Sequence, residues 1–427
     1  MNRIITIQLF VIAVMLMSAC NKEQDMVQHT SPEITFNITP KTGISTRSNT
    51  GRDPNTSQAL QWVTDMRIYA FKKLTDGSNT YTYTQVTIDA AGTKQDYYSV
   101  PWSKGTKSKT YKITPRLEVG DTYVFLAVGL DDGKTNFKDL NFTGKTLEEA
   151  ALCLKDNLDC REVFVGKTDA MEIKANMGFN ISLELNRIVA GVLGYFKNIP
   201  ATYNGKEVKS IKVRLYTNKN TQQCLVLPNS TKIEDGAVSN NTILDISLLG
   251  VGNKQTVVIG GKAVNVNVTI VNNIYQYQYY DWPADLAGID IRVLNNTVLQ
   301  SAFVMPVMAP AAKEYTIRVE LCDAAGKALK FWNVYIDKMQ DGDLDTNLLR
   351  YSILPNHYYS LGKKTSNGTS TDEPMDLSKD QEFVITVNPE WEDIHDMGIT
   401  DPVNPPENDA NMGGDINLDD DNWDGIN

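Results

Sequence analysis

The chain has 427 residues, of which 41 are Lys or Arg and 52 are Asp or Glu, and its formal net charge is −11. This length allows two or three domains. The negative charge excludes a general nucleic-acid role, because phosphate binding needs a basic face. The charge is uneven: residues 400–427 hold eight Asp or Glu and no Lys or Arg, so the remainder is close to neutral.

The N-terminal segment has the pattern of a secretory signal. Arg3 is followed by an apolar run over residues 4–16, which only Thr6 and Gln8 interrupt. A basic start, a short apolar segment and small residues at its end are typical of a signal peptide, and the run is too short to span a bilayer comfortably. We therefore predict a signal peptide over residues 1–19.

The next residue is Cys20, and Ser18-Ala19-Cys20 resembles the lipobox of bacterial lipoproteins, in which fatty acids such as palmitate are attached to the cysteine. Each buried methylene contributes roughly 0.8 kcal/mol to membrane binding, so several acyl chains anchor a protein stably. Residues 20–33 then form a linker, whose Glu23 and Asp25 resemble the export signal of surface lipoproteins in Bacteroidetes. The alternative is a plain signal with a chance cysteine.

The first strand of the folded body is predicted from three alternating apolar residues, Ile34, Phe36 and Ile38. This is the period of a half-buried strand. A polar segment rich in Gly, Pro, Asn and Ser follows, and it has no core pattern, which predicts a loop. Because Arg47 and Arg52 lie in that segment, the first strand is joined to the rest by an arginine-containing loop.

Strand patterns continue over the rest of the first predicted unit, residues 34–185. The nearly continuous apolar run at 121–130 suits a central strand that is covered on both faces. Thr146 and Glu149 have the spacing of a capping box, which predicts one short helix. The other predicted strands of this unit are 63–74, 81–84, 98–101, 111–113 and 179–185.

A second unit is predicted over residues 186–391. Its clearest strand is the alternating segment 209–216, with Ile211, Val213 and Leu215 on one face. Many short strands separated by Gly, Asn and Asp turns indicate β-sandwiches, and hence an all-β fold. The other predicted strands here are 256–259, 264–271, 302–307, 315–322, 331–336, 358–361 and 382–387.

The remaining segment, residues 392–427, is acidic. Asp415, Asn417, Asp419 and Asp421 occur at every second position, like the start of a calcium loop. The sixth position is acidic where an EF-hand needs Gly, and no Glu closes the loop. A solvated acidic tail is therefore the favoured interpretation, and no metal site is predicted.

No catalytic or cofactor-binding pattern is present. The three histidines, His29, His357 and His395, form no HExxH, and no Walker, GxSxG or GxGxxG sequence occurs. Asp131 and Asp132 could serve a glycosidase, which needs only carboxylates, but Asp-Asp-Gly is first a turn. We therefore expect no enzymatic activity and no cofactor.

Two residue groups leave alternatives open. Cys153 and Cys160 could pair with each other, since disulfides form in exported chains, or they could be free and buried. The Tyr-rich run at 275–282 could be an exposed stripe that binds sugar or protein. Aromatic cross-strand packing is the favoured interpretation of that run.

These features together resemble the fimbrillin superfamily of Bacteroidetes, pilus subunits related to those of oral Porphyromonas. The resemblance implies two transthyretin-like (Greek-key) β-sandwich domains, with the short helix in the first. The features that carry it are Cys20, the strand 34–38 followed by Ser45-Thr46-Arg47, the segments 66–71, 123–130, 186–190, 354–359 and 383–387, and then Pro389 and Trp391.

The resemblance also implies a mechanism. Arg47 matches the arginine after which a trypsin-like protease cuts, which makes Ser48 the new N-terminus; Arg52 is the second choice. Ile34, Phe36 and Ile38 then belong to the strand that is removed. The loss exposes an apolar groove and unpaired backbone, which a strand from the next subunit fills, and such head-to-tail contacts build a filament. The predicted donor residues are Ile394, Met397 and Ile399.

The implied partners are other copies of the chain or related fimbrial subunits, the outer membrane through lipid, and the processing protease, with no nucleic acid. The implied location is the cell surface. The presence of Arg47 and of a long segment after Trp391 favours a polymerising stalk subunit that supports adhesion. The alternatives are an anchor or tip subunit of the same superfamily, and a surface glycan-binding lipoprotein.

Overall fold

The computed structural model describes part of the chain. The described residues are 29–30, 32–40, 63–75, 80–90, 93–103, 106, 108–131, 137, 140–154, 160–216, 224–227, 241–259, 262–283, 292–306, 316–336, 353, 355–364, 369, 371–379 and 383–388. These residues form an all-β structure, as predicted.

The strands fall into two sets along the chain. The first set is β1 His29–Thr30, β2 Ile34–Pro40, β3 Asp65–Thr75, β4 Tyr81–Val86, β5 Ile88–Ala90, β6 Thr93–Gln95, β7 Tyr98–Pro101, β8 Lys109–Ile113, β9 Leu117–Glu118, β10 Thr122–Leu130, β11 Ala151–Cys153, β12 Val163–Lys167, β13 Met171–Glu172 and β14 Phe179–Arg187. The second set is β15 Ala190–Lys197, β16 Thr202–Tyr203, β17 Lys206–Glu207, β18 Ser210–Tyr216, β19 Cys224–Val226, β20 Asn241–Ser247, β21 Gly252–Ile259, β22 Lys262–Val271, β23 Ile274–Tyr280, β24 Thr297–Val304, β25 Thr316–Cys322, β26 Ala328–Ile336, β27 Tyr358–Leu361, β28 Met375–Asp376 and β29 Phe383–Asn388.

Each set builds one nine-stranded sheet. In the first sheet the order is β4-β3-β10-β12-β14-β2-β8, with β7 also on β3 and β13 on β10. In the second sheet it is β20-β18-β25-β26-β29-β27-β15-β24, with β28 also on β15. Along the chain, β14 is the last strand of the first sheet and β15 is the first strand of the second sheet. The change from one sheet to the other therefore lies close to the predicted boundary between the units. The division into two transthyretin-like domains stays a prediction.

The buried apolar residues in the described part of the chain form three clusters. One lies in the first sheet around Phe36 and Phe125, and another in the second around Tyr195 and Val266. The third cluster takes residues from both halves of the chain. Its members include Tyr69, Leu126, Leu152, Leu193, Phe303 and Tyr358, all buried. The two halves therefore share one continuous apolar contact.

The short helix predicted at Thr146 is not found in the described residues. The Glu149 carboxylate does accept the Thr146 N–H at 2.8 Å, and the Glu149 N–H donates to the Thr146 carbonyl at 3.1 Å, but the result is a single turn. The chain then extends into β11, which pairs with β19 and buries Leu152. Burial in the shared core favours the strand over helix propagation.

Neither of the two alternatives holds for both Cys153 and Cys160. Cys153 lies in strand β11 and is disulfide-bonded. Cys160 and Cys322 are buried and form no disulfide, so a bond between Cys153 and Cys160 is excluded. In the β11–β19 ladder, the residue opposite Cys153 is Cys224.

Core packing accounts for the Tyr-rich run. Tyr275, Tyr277 and Tyr279 project from one face of β23 and are buried in the second-half core. The Tyr275 hydroxyl donates to the Val208 carbonyl at 3.0 Å, and the Tyr279 hydroxyl donates to the Thr297 carbonyl at 2.7 Å. Cross-strand packing, the favoured interpretation, is thus the correct one for these three residues.

Candidate functional site

The strand predicted to be removed, β2, lies inside the first sheet. It runs parallel to β14, with Ile34 opposite Phe179, and antiparallel to β8, with Ile34 opposite Ile113. Both of its backbone edges are therefore paired. Sequence reasoning predicted the strand but not its partners, because alternation reports which face is buried and carries no information on the neighbouring strand.

The inner face of β2 contributes directly to the core. The side chains of Ile34, Phe36 and Ile38 have no exposed surface. The Phe36 ring meets the ring of Phe125 edge to face, with 5.3 Å between centroids. Burying aliphatic or aromatic side chains of this size contributes about 1.5–3 kcal/mol each. The same apolar cluster also includes Ile113, Phe164, Leu183 and Leu185, which form the groove that β2 fills.

The outer face of β2 is polar and makes cross-strand contacts. The Asn37 amide donates to Asn180 on β14 at 2.6 Å and accepts from the Thr110 hydroxyl on β8 at 3.0 Å. Just before the strand, Glu33 pairs with Lys112 at 2.8 Å, and both side chains are more than half exposed. Exposed pairs of this kind contribute little to stability. The apolar face therefore provides most of the side-chain energy that holds the strand.

A second, shorter ladder holds the chain upstream of β2. The residues of β1 pair antiparallel with β9, His29 opposite Glu118 and Thr30 opposite Leu117. Next to this ladder, Lys72 lies between two carboxylates, 2.5 Å from that of Glu118 and 2.6 Å from that of Asp121. Burial lowers the pKa of Lys72, but the hydrogen bonds that its ammonium donates to these two carboxylates outweigh this effect and raise the pKa overall. The N-terminal peptide is thus attached at two places.

The other predicted site residues lie outside the described residues. These are Cys20, Arg47, Ser48, Arg52, Ile394, Met397 and Ile399. Their assignments to lipid attachment, cleavage and strand donation stay predictions. Among the described residues, no group of three or more His, Cys, Asp or Glu is placed to hold a metal ion.

The last described strand, β29, is also an interior strand. It runs parallel to β26 and antiparallel to β27, which repeats the pairing of β2 with β14 and β8. Removing β29 from its own sheet would break two ladders of the second half. β29 is therefore an integral strand of the second sheet, and strand donation by residues that follow it stays a prediction.

The part of the chain that the structure describes contains no helix that is long and apolar enough to cross a membrane.

No family model matches this chain, and no curated protein matches it. Several solved structures do match it. The fimbrial anchor protein Mfa2 of Porphyromonas gingivalis is 11% identical, covers 78% of this chain and 90% of its own, and gives a TM-score of 0.36. A candidate cell adhesion protein of Parabacteroides distasonis is 12% identical, with 84% and 96% covered and a TM-score of 0.40.

A candidate polysaccharide-binding protein of Bacteroides thetaiotaomicron is also similar. It is 12% identical, covers 77% of this chain and 91% of its own, and gives a TM-score of 0.37. The chain is thus similar to these three proteins over most of their length, at low sequence identity.

Proposed function

We propose that the chain is a cell-surface fimbrial or adhesion subunit, exported as a lipoprotein on Cys20, cut after Arg47 and assembled by strand exchange at the β2 groove. The observation that carries the proposal is the position of β2. Three fully buried side chains hold this strand between β14 and β8, while its only peptide connection to β3 runs through residues 41–62, where Arg47 and Arg52 lie.

Cleavage after Arg47 would leave β1 and β2 on a peptide held by ladders and side chains alone. Loss of that peptide would unpair β14 on one side and β8 on the other, and would expose the groove around Phe125 and Leu183. Open strand edges beside an apolar groove invite pairing with another chain. A matching strand from another copy would restore both ladders.

The groove also sets a requirement for the donor. The buried residues of β2 stand at every second position, so a donor needs apolar residues with the same spacing. Met397 and Ile399 have this spacing of two residues. Ile394 is three residues before Met397, and in a continuous strand it would face the opposite side. We therefore propose Met397 and Ile399 as the inward-facing pair, a refinement of the donor set.

Trypsin treatment of the soluble chain without residues 1–20 tests this proposal. We expect a new N-terminus at Ser48, followed by multimers that resist sodium dodecyl sulfate. Replacing Arg47 and Arg52 together with Ala should abolish both. Deleting residues 392–427 should permit cleavage but prevent multimers, while deleting only 408–427 should permit both. A cleaved full-length product that stays monomeric would eliminate the stalk role and favour an anchor or tip role.

Lipid attachment is tested separately. Cells that express the full chain are fed a labelled fatty acid such as palmitate. The wild-type protein should take up label, and the Cys20→Ala variant should not. Equal labelling of both proteins would disprove attachment at Cys20 without bearing on strand exchange.

A further inference from the structure

Strand β8, the neighbour of β2 at the end of the first sheet, carries exposed basic side chains. From Lys112 to Leu117, exposed and buried residues alternate along the chain. The exposed positions, together with one more at the start of β8, are Thr110, Lys112, Thr114 and Arg116, which we call the basic row. Both charges in this row are positive, and it borders the place that β2 occupies.

The charge of the chain is separated between this region and the C-terminal segment. Residues 97–117 contain five Lys or Arg and no Asp or Glu. Residues 392–427 contain eleven Asp or Glu and no Lys or Arg, which accounts for the whole net charge of −11. Residues 1–391 are therefore neutral in sum. The predicted donor lies within the acidic segment, and the groove that it would fill lies beside the basic row.

The carboxylate that neutralises the basic row belongs to the removable peptide. Glu33, directly before β2, pairs with Lys112 at 2.8 Å. Arg116 makes no ion pair within the part of the chain that the structure describes. Departure of β2 after cleavage would carry Glu33 away and leave both basic side chains without a partner.

Two other carboxylates near this edge do not replace Glu33. The Glu118 carboxylate is bound by Lys72. Glu184 on β14 lies opposite Thr39, whereas Lys112 lies opposite Thr35. Four residues of strand separate these two places, which is about 13 Å. Cleavage would therefore make this edge of the groove positively charged.

The donor has a carboxylate at a matching position. Asp396 directly precedes the inward-facing pair of the donor, so in a strand it faces outward, toward the side of the basic row. Two registers of a donor that runs in the direction of β2 fill the central place of Phe36. In one register Asp396 takes the place of Glu33, and in the other it stands directly opposite Lys112. Both registers bring the two charges together.

The energetics favour a role in association over a role in stability. Exposed ion pairs contribute little to stability, but complementary charges at the border of a binding site raise the rate of association. Lysine on an edge strand also opposes unwanted pairing. That protective role does not require the carboxylate partner of Lys112 to lie on the strand that cleavage releases.

We propose that the basic row recognises the acidic segment 392–427 of a second copy of the chain, and that Asp396 of that copy replaces Glu33 as the partner of Lys112. The proposal rests on the strand exchange of the proposed function and adds the charges that select the donor. Before cleavage Glu33 neutralises the row, so an uncleaved copy attracts the donor less than a cleaved one.

Charge reversal in the soluble chain without residues 1–20 tests the proposal. An arginine-specific protease is used, because Asp396→Lys would give trypsin a new site. At low salt, Lys112→Glu and Asp396→Lys should each form multimers about tenfold more slowly than the wild type. A chain with both changes should recover a large part of the lost rate, because the pair is restored with opposite signs.

The matched control is Lys327→Glu, which makes the same charge change at an exposed position of the second half and should assemble like the wild type. N-terminal sequencing should find Ser48 in every variant, and urea midpoints of the uncleaved chains should agree, which separates lost recognition from lost cleavage or folding. High salt should reduce the difference between the wild type and Lys112→Glu, because salt screens exposed charges.

Multimers that form equally fast from the wild type and from Lys112→Glu would overturn this proposal and leave strand exchange intact. A double variant no faster than the single ones would overturn the pairing of Asp396 with Lys112. Failure of the wild type to form multimers would overturn both proposals. If Lys112→Glu assembled normally but lost binding to chondroitin sulfate, the row would serve an anionic polysaccharide instead, which also contradicts the proposal.

Discussion

The guanidinium of Arg187 donates twice to the carboxylate of Glu162, from Nη2 at 2.8 Å and from Nε at 2.9 Å, and both side chains are buried. Arg187 ends β14, the last strand of the first sheet. Its Nη1 donates to Asn356 of the second half at 3.2 Å, and the group lies 4.9 Å from the centre of the Phe164 ring. One arginine thus connects the two halves of the chain where they meet.

Removal of this arginine should destabilise the whole chain. Arg187→Met leaves the Glu162 carboxylate buried without its ion-pair partner, and breaking a buried pair on one side costs about 3–5 kcal/mol. Urea unfolding should show this loss, and Glu162→Leu added to Arg187→Met should recover part of it. Lys209→Ala removes an exposed pair with Glu207 and should leave the midpoint unchanged. An Arg187→Met midpoint equal to that of Lys209→Ala would contradict the prediction.

Truncation of the central side chain of β2 should have a large effect. Phe36→Ala removes a fully buried ring that packs on Phe125, and such changes cost about 3–5 kcal/mol. The control is Thr35→Ala, one position along and on the outer face of the same strand. Urea unfolding of the uncleaved chain should separate the two variants clearly; similar midpoints would mean that β2 is not packed as described.

The disulfide of Cys153 should join it to Cys224. The two residues are Cα partners in an antiparallel ladder, where such partners lie about 4.5–5.5 Å apart, a separation that a disulfide can span. Peptide mapping without reductant should recover this linked pair. Recovery of Cys153 in any other linkage would refute the pairing.

The Cys322 thiol should be unreactive in the folded chain. Burial raises the pKa of this thiol to about 11, so Cys322 should react with iodoacetamide only after unfolding.

Stability should fall between pH 7 and pH 5. Burial lowers the pKa of His357, and the hydrogen bond to the Pro355 carbonyl offsets this only in part. Unfolded histidine titrates near pH 6.5, so below that value the unfolded chain binds more protons than the folded chain, and unfolding becomes easier. His357→Gln should flatten the unfolding free energy over this range. An equal slope in both proteins would assign the effect to other groups.

The Asp376 carboxyl should affect the stability of the chain in a separate, more acidic pH range. Burial raises its pKa, but hydrogen bonds from Ser378 and Asn198 outweigh this and lower the pKa overall. Its contribution to stability is present above the unfolded pKa, near 4, and is lost as the pH falls through the lower, folded value. Asp376→Asn should therefore change the pH dependence below about pH 4 and leave the slope from pH 7 to pH 5 intact.

Local patterns in the sequence predict the strands well and their neighbours poorly. The alternation at Ile34, Phe36 and Ile38 and the continuous apolar run of β10 correctly predict how each strand is buried. Alternation reflects which face meets the core, and that information is local. The parallel pairing of β2 with β14 depends on two distant segments, and neither pattern contains it.

The same limit explains the incorrect helix and the missed ion pair. Thr146 and Glu149 make the contact of a capping box, but a helix also needs an apolar stripe to bury, and the following residues are buried as the strand β11. Arg187 lies in the segment 186–190 that the sequence analysis singled out, but nothing in the local sequence indicates its ion pair. Its importance depends on Glu162 and Asn356, which reach it only in the finished fold.

The pairing of β2 also fixes the order in which the chain can complete its first sheet. Asn37 and Asn180 bond at 2.6 Å in the folded chain, although 143 residues separate them. A chain synthesised from its N-terminus makes β2 long before β14 exists, and contacts of such large sequence separation form late. Until β14 is in place, the side chains of Ile34, Phe36 and Ile38 are not buried in the core, and they must be protected from aggregation. Although β2 is made early, it is therefore among the last strands to reach its place in the sheet.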